Sequence, residues 1–322
     1  LQHTSRDREI FFDHCEFASI ERAAYGRQEL IGVDWGTSNF RAFRLDAAGT
    51  VIERRSYPTG VLKVQEGKFA ETLQAQIGDW IEAGETRVLL CGMVGSRQGW
   101  AEANYLRCPV KIEDFAQAVV RIPFAGAQAV LIPGVIGEDS AGVPEVMRGE
   151  ETEAMGIVDN CEEDDLVCLP GTHSKWIELR RGSIVRFLTC MTGEMYSALR
   201  RCTILSKLMN SDTAVDEVSF LRGVARSADV GGLLHHLFSV RTLVLTGDLK
   251  EETSASYLSG LLIGHEVRAA MPAQAHVHLV GAAQLCKLYA TAIEACGGSS
   301  TLEDEDAAAR GLAAIGRRLD WL

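Results

Sequence analysis

The chain predicts a two-lobed α/β protein, with a mixed sheet flanked by helices in each lobe and a cleft between the lobes. Three observations predict it. The first half reads strand–strand–strand–helix–strand, the order of a meander followed by an α/β crossover. The second half opens with the same strand–turn–strand device. Both copies carry a polar Gly-Thr turn at the same place, DWGTSNFRAFRL at 34–45 and LPGTHSKWIEL at 169–179. A duplication with one polar turn per copy suits a cleft lined by both turns.

The elements follow in order. Ile31 to Trp35 is a short apolar strand. Phe40, Ala42, Phe43 and Leu45 continue as a second strand, and Val51 to Tyr57 as a third, across the Ala47–Thr50 turn. Phe69, Leu73, Ile77, Trp80 and Ile81 recur at helical spacing, and Gly84 stops that helix. Arg87 to Met93 and Ala129 to Pro133 are buried strands. Pro144 to Ile157 (PEVMRGEETEAMGI) reads as a helix with Pro at its start. Asp165 to Leu169, Lys175 to Leu179 and Ser183 to Cys190 repeat the three-strand opening. Helix over Glu194 to Leu208, strand over Arg241 to Leu245, helix over Ser254 to Ala270, strand over His276 to Val280, and helices over Ala282 to Ala295 and Asp304 to Leu319 complete the chain.

Composition narrows the function. The 322 residues allow two domains, and 47% hydrophobic with 24% charged residues is ordinary for a globular enzyme. A formal net charge of −12 argues against a nucleic-acid surface, which needs a dense basic field. No apolar run reaches the roughly 18 residues of a membrane span, and the N-terminus (LQHTSRDREIFFDHCEF) lacks the apolar core of a signal peptide. Nine cysteines, an odd number without a Cys-x-x-Cys pair, read as free thiols in a reducing cytoplasm rather than a zinc or disulfide framework. Cys91 and Cys168 sit inside apolar runs as small hydrophobes. His235 and His236 are neighbours that cannot share a helix face, so no metal is expected there.

The chemistry lies in the turns. Backbone N–H groups in a tight turn converge on an anion, and small residues let a phosphate approach. In the first turn Gly36, Thr37, Ser38 and Asn39 supply donors, yet Asp34 stands beside them and would repel phosphate. A divalent cation between acid and phosphate resolves the conflict, and Mg²⁺ is held by one or two carboxylates plus phosphate oxygens. The second turn, Gly171-Thr172-His173-Ser174-Lys175, is placed to hold the other side of a phosphate chain. Ordinary hairpins favour the same residue types, so the pairing of the two turns carries the signal rather than either alone. No Walker motif occurs.

These residues resemble a known superfamily. Asp34 to Ser38 looks like the first phosphate motif of the actin, heat-shock-chaperone and sugar-kinase ATPases, and Leu169 to Lys175 like the second. His278 to Ala283, ahead of a helix, looks like the adenosine motif, which implies nucleotide contacts at Gly281 and Ala282. Val146 to Gly156 and Ala307 to Ile315 fit its two connecting helices. More narrowly, CGMVGSRQGW (91–100), VMRGEET (146–152), LPGTHSKW (169–176), TGEMYSAL (192–199) and SGLLIGHE (259–266) resemble the 2-keto-3-deoxygalactonate kinases. The resemblance implies two ribonuclease H-like lobes and phosphorylation of the 6-hydroxyl of 2-dehydro-3-deoxy-galactonate by ATP with Mg²⁺, in galactose breakdown. It divides the chain into an N-terminal extension (1–29), an N-terminal lobe (30–157) and a C-terminal lobe (158–322). The expected partners are the sugar acid and ATP, with no nucleic acid and no membrane; a homodimer is compatible with this reading. One departure matters: the superfamily's second turn usually begins with an acid, but Leu169-Pro170 stand there, which leaves the general base unassigned.

Phosphoryl transfer needs positioning, charge neutralisation and a carboxylate to take the hydroxyl proton. Asp34 is the metal-side carboxylate. Glu150 and Glu151 are adjacent acids on the expected connecting helix, where neighbours point about 100° apart. Glu150 is preferred as the catalytic acid, because Glu151 falls further from the face of Met147. Ser96, Arg97 and Gln98 follow a strand end, where α/β folds place ligands, and Arg97 would clamp the sugar acid's carboxylate, with Trp100 and Tyr105 as candidate walls. His173 reads as a phosphate donor, while Lys175 reads more as the solvent-facing start of the next strand. A phosphohydrolase of the same fold, such as an exopolyphosphatase, and a nucleotide-switched binding module are the competing functions.

Overall fold

The computed structural model describes residues 29–161, 164–209 and 214–322. All but Glu29 of the expected N-terminal extension lies outside the described residues. The apolar run Leu30–Trp35 (β1) pairs antiparallel with Phe40–Leu45 (β2), which pairs antiparallel with Val51–Tyr57 (β3). β3 is an edge, and Glu53 and Arg54 on it are exposed to water. Helix Phe69–Glu82 (α1) follows, its Phe69, Leu73, Ile77 and Trp80 packed on Ile31, Val33 and Trp35. Arg87–Cys91 (β4) lies parallel to β1. Then come Leu106–Arg107 (β5), Ile112–Gln117 (α2), Val120–Ile122 (β6), Gln128–Leu131 (β7), Val135–Glu138 (β8), Pro144–Met147 (β9) and Glu150–Met155 (α3). The first sheet has the order β3-β2-β1-β4-β7-β6, and β5, β8 and β9 form a small separate sheet.

The second sheet repeats the first. Asp164–Leu169 (β10), Ser174–Arg180 (β11) and Ser183–Cys190 (β12) make the antiparallel meander. Thr192–Cys202 (α4), Glu217–Arg226 (α5), Gly232–Leu245 (α6) and Glu251–Ala270 (α7) follow. His276–Leu279 (β13) then lies parallel to β10, as β4 does to β1. Ala283–Ala295 (α8), Ser299–Leu302 (β14) and Ala307–Arg318 (α9) end the chain, with sheet order β12-β11-β10-β13-β14.

Two expectations need correction. The strand expected at Arg241 to Leu245 is the last part of α6. Leu233, Leu237, Val240 and Val244, at helical spacing, pack on one apolar cluster, and that longer period overrides the short apolar run. The helix expected from Pro144 to Ile157 is two elements. Pro144 to Met147 pairs as a strand with β8, and Gly149 at φ 114° breaks the chain before α3 begins. Gly149 is therefore a turn residue rather than a glycine inside a helix, and a Cβ there would lie 3.2 Å from the Gly92 Cα.

Helices α3 and α9 cross between the sheets. A Cβ on Gly156 would collide with the Ala307 carbonyl, and one on Gly311 with the Thr152 carbonyl. The crossing is thus backbone on backbone. α9 also lies directly on β1, where a Cβ on Gly32 would sit 2.8 Å from Leu312. One apolar cluster joins Leu30, Leu89, Ala154, Val167 and Leu312, so it reaches both sheets and both crossing helices. No helix among the described residues is long and apolar enough to cross a membrane.

Candidate active site

The ends of β1 and β10 face one cavity of about 740 Å³. It is lined from one side by Asp34, Gly36, Thr37, Ser38 and Asn39, and from the other by Gly171, Thr172, His173, Gly281 and Ala282, with Glu150 between them. Every residue expected to bind phosphate or nucleotide, and both expected catalytic acids, thus share one space. The strand carboxyl ends place them there, as in other α/β folds.

Each turn is held from behind. Gly60, Val61 and Leu62 donate backbone N–H groups to the carbonyls of Ser38, Gly36 and Thr37 (3.0, 3.0 and 3.4 Å). Gly60 has no room for a side chain under that turn. With their carbonyls engaged, Thr37, Ser38 and Asn39 stay exposed to the cavity. In the second turn the Thr172 carbonyl accepts from Glu194 N (3.0 Å), and the Glu194 carboxylate meets His173 Nε2 at 2.5 Å. A buried network fixes the strand beyond it: Trp176 Nε1 and Tyr289 OH each donate to Glu266 (2.7 Å each), and Tyr289 shares a hydrogen bond with Ser174 (2.8 Å). The N-terminus of α8, preceded by Gly281 at φ 142°, opens on the same cavity with its first N–H groups unused by any side-chain cap.

The acids differ in their surroundings. Asp34 accepts from Arg41 Nε at 2.9 Å and from Arg41 Nη2, and the same guanidinium reaches Glu153 at 2.7 Å. Burial, then the charge of Asp34, push the Glu153 carboxyl up to about 7, against the pull of Arg41. Burial also raises Glu150, while Lys175, its Nζ 4.0 Å from Glu150 Oε1, pulls it back down. Glu151 is fully buried; its carboxylate accepts from Gly149 N at 2.7 and 2.9 Å. Burial, then the neighbouring Glu150, push it up to about 8. It faces away from the cavity and holds the turn that starts α3.

Sequence reasoning missed three residues. Glu153 lies on the same helix face as Glu150, and the i, i+3 spacing was the available signal. Lys175 is 5% exposed rather than solvent-facing, because β11 runs beneath the cleft. Arg148 is also buried, with its Nη2 on the Ala103 carbonyl at 2.7 Å and its guanidinium 4.4 Å from the Tyr105 ring centre. The Ser96–Gln98 turn lies elsewhere. Arg97 is 85% exposed on Glu102 (2.9 Å), and with Gln98 it lines a separate depression beside Phe69 and Trp100. Trp100 stacks on Phe69 as part of the core around α1. Ser96 Oγ is buried without a hydrogen-bond partner. Cys91 and Cys168 are buried, and burial holds both thiols well above their ordinary pKa, so neither supplies a thiolate.

A second cavity, of about 270 Å³, lies between α4, α7 and α8. Tyr196, Leu262, Leu285 and Leu288 give it apolar walls, and it shares Gly171 with the cleft.

Comparison with known proteins settles the family. The 2-keto-3-deoxy-galactonokinase family matches residues 34–315. A Rhizobium meliloti (strain 1021) protein named probable 2-dehydro-3-deoxygalactonokinase is 35% identical over 295 residues, 89% of this chain and 96% of that one. The 2-dehydro-3-deoxygalactonokinase of Escherichia coli (strain K12) is 33% identical over 273 residues, 83% of this chain and 90% of that one. A crystal structure from Sinorhizobium meliloti, ascribed to the same kinase, superposes with a TM-score of 0.83 at 33% identity and covers 89% of this chain and 98% of that one. The repeated sheets and crossed helices are those of the actin-like ATPase fold. The chain belongs to the 2-keto-3-deoxy-galactonokinase family, and its activity is that of a 2-dehydro-3-deoxygalactonokinase, a sugar-acid kinase.

Proposed function

We propose that the cleft transfers the γ-phosphoryl group of ATP to the 6-hydroxyl of 2-dehydro-3-deoxy-galactonate, with Glu150 as the general base. The observation that carries this is the shared cavity: both turns and Glu150 line one space. Thr37, Ser38 and Asn39 hold the phosphate chain from one side. Gly171, Thr172 and the N-terminus of α8 hold it from the other, where unpaired N–H groups and the helix dipole favour anions. The apolar cavity beside Gly171 takes the base of the nucleotide, since it opens next to the phosphate turn and offers flat aliphatic walls.

Glu150 accepts the proton of the acceptor hydroxyl. Its carboxyl, raised by burial and restrained by Lys175, has the basicity that task needs. Glu151 is removed from the role because its oxygens serve Gly149. Asp34, Glu150 and Glu153 offer hard oxygen donors to the cavity, a set that fits Mg²⁺. Asp34 would hold it, directly or through water. When bound, the cation neutralises charge on the phosphates. Arg41 holds Asp34 and Glu153 in place for that purpose.

Closure of the lobes on both substrates excludes water, whose attack on ATP competes with transfer. A phosphohydrolase would need no acceptor pocket. The test is ADP release from MgATP with and without a panel of 2-keto-3-deoxy acids. Release that depends on the galacto-configured acid, with a 6-phosphate product by NMR, is expected. Equal release without any acid overturns transfer.

A further inference from the structure

We propose that the Arg148 guanidinium, with the Ser96 hydroxyl, is the subsite for the carboxylate of the sugar-acid acceptor. This rests on the kinase reading above and adds which group recognises the acid end of the substrate.

Arg148 is 8% exposed. Its Nη2 donates to the Ala103 carbonyl, but Nε and Nη1 are buried with no hydrogen-bond partner. Among the described residues no carboxylate lies within ion-pair distance of it. Glu151 is near enough to feel its charge, yet Glu151's oxygens accept from Gly149 N. A guanidinium left in this state is strongly disfavoured, so a fold that keeps one has an anion for it. Nη1 carries two N–H groups of the planar fork, and a carboxylate oxygen is the charge-assisted acceptor that suits them.

A second orphan lies nearby. Ser96 Oγ is also buried without a partner. Ser96 follows Gly95, and a Cβ on that glycine would come within 3.1 Å of Arg148 Nη1. The glycine thus keeps the bulk of a side chain off Nη1.

Position along the chain fits the acceptor's two ends. Arg148 N donates to the Glu150 carboxylate at 3.1 Å, so the proposed anion site and the proposed base flank Gly149. A six-carbon acid has its carboxylate and its 6-hydroxyl at opposite ends, and each end meets one of these groups. The other cations near the cleft are committed: Arg41 to Asp34 and Glu153, and Lys175 to Glu150. Arg97 points to solvent and pairs with Glu102. The Tyr105 ring, 40% exposed, covers the Arg148 guanidinium and must swing aside to admit the acceptor.

The experiment is steady-state kinetics of the full chain with MgATP and either the sugar acid or its neutral C1 amide. The wild type is expected to prefer the acid strongly. Arg148→Gln should raise KM for the acid on the order of 50-fold, leave KM for ATP within about twofold, and erase the preference for acid over amide. Added guanidinium ion should restore part of the loss, which a purely structural role would not allow. Arg97→Ala should change none of these values. A wild type that uses acid and amide equally overturns the proposal whether or not any variant folds. So does an Arg148→Gln enzyme that keeps the preference. Should Arg148→Gln not fold, Arg148→Lys and Ser96→Ala give the same reading, and an unchanged KM for the acid in both overturns it. A wild type without any acid-dependent ADP release is a different result, which sinks the kinase reading itself.

Discussion

The two hairpins that face each other across the cleft carry different charges at one pair of facing positions. In the first, Asp34 stands opposite Arg41 across the strand pair; in the second, Leu169 stands opposite Lys175. The turns between them share Gly-Thr, and both begin their sheet's central pairing. The first hairpin therefore supplies its own counter-ion and fixes an acid at the cavity. The second carries a cation with no acid of its own, and that cation reaches across to Glu150. In the proposed mechanism one device thus yields two chemistries: a carboxylate for a metal on one side, and a charge that adjusts the base on the other.

The largest test of this asymmetry is Asp34→Asn. It should lower kcat on the order of 10³-fold with the fold intact by circular dichroism. Turnover near the wild-type rate would strip the acid at the first turn of chemical meaning. Glu150→Gln comes next, with a loss of kcat on the order of 10²-fold and little change in KM for ATP. Because the base must be ionised, wild-type kcat/KM should rise with pH through a pKa above the ordinary carboxylate range, as the raised Glu150 requires. Lys175→Met removes the charge that lowers that pKa, so the rising limb should move to higher pH. A limb that stays in place would separate Lys175 from Glu150. The smallest effect is expected from His173→Ala, less than about tenfold in KM for ATP, since its ring is exposed and tied to Glu194. A larger loss would show that the second turn, too, carries an indispensable side chain.

Much of this was legible in the sequence because the decisive features are local. A strand, a Gly-Thr turn and a strand lie within a dozen residues, so the apolar period and the turn chemistry locate them together. Asp34 and the turn residues follow from that pattern. Lys175 was misread because its burial depends on what lies over β11, and no local pattern carries that. The Pro144 segment misled for a related reason: a Pro at the first position suits a helix, but pairing with β8 and the positive φ of Gly149 decide the outcome. In the sequence Arg97 takes the carboxylate role because it follows a strand end, and nothing local marks Arg148. Only the fold shows that one guanidinium faces water and the other is enclosed.

The glycine contacts at the crossing of α3 and α9 bear on how the jaws move. Gly156 and Gly311 bring main chain against main chain at the two closest points of the crossing. Such a joint is stiff to translation and free to swivel, like a pin in a bracket. Because Glu150, the proposed base, begins the very helix that forms the pin, a swing of the jaws about it would turn that carboxylate by the same angle, and the proposed proton acceptor would be aimed by the motion that shuts the mouth.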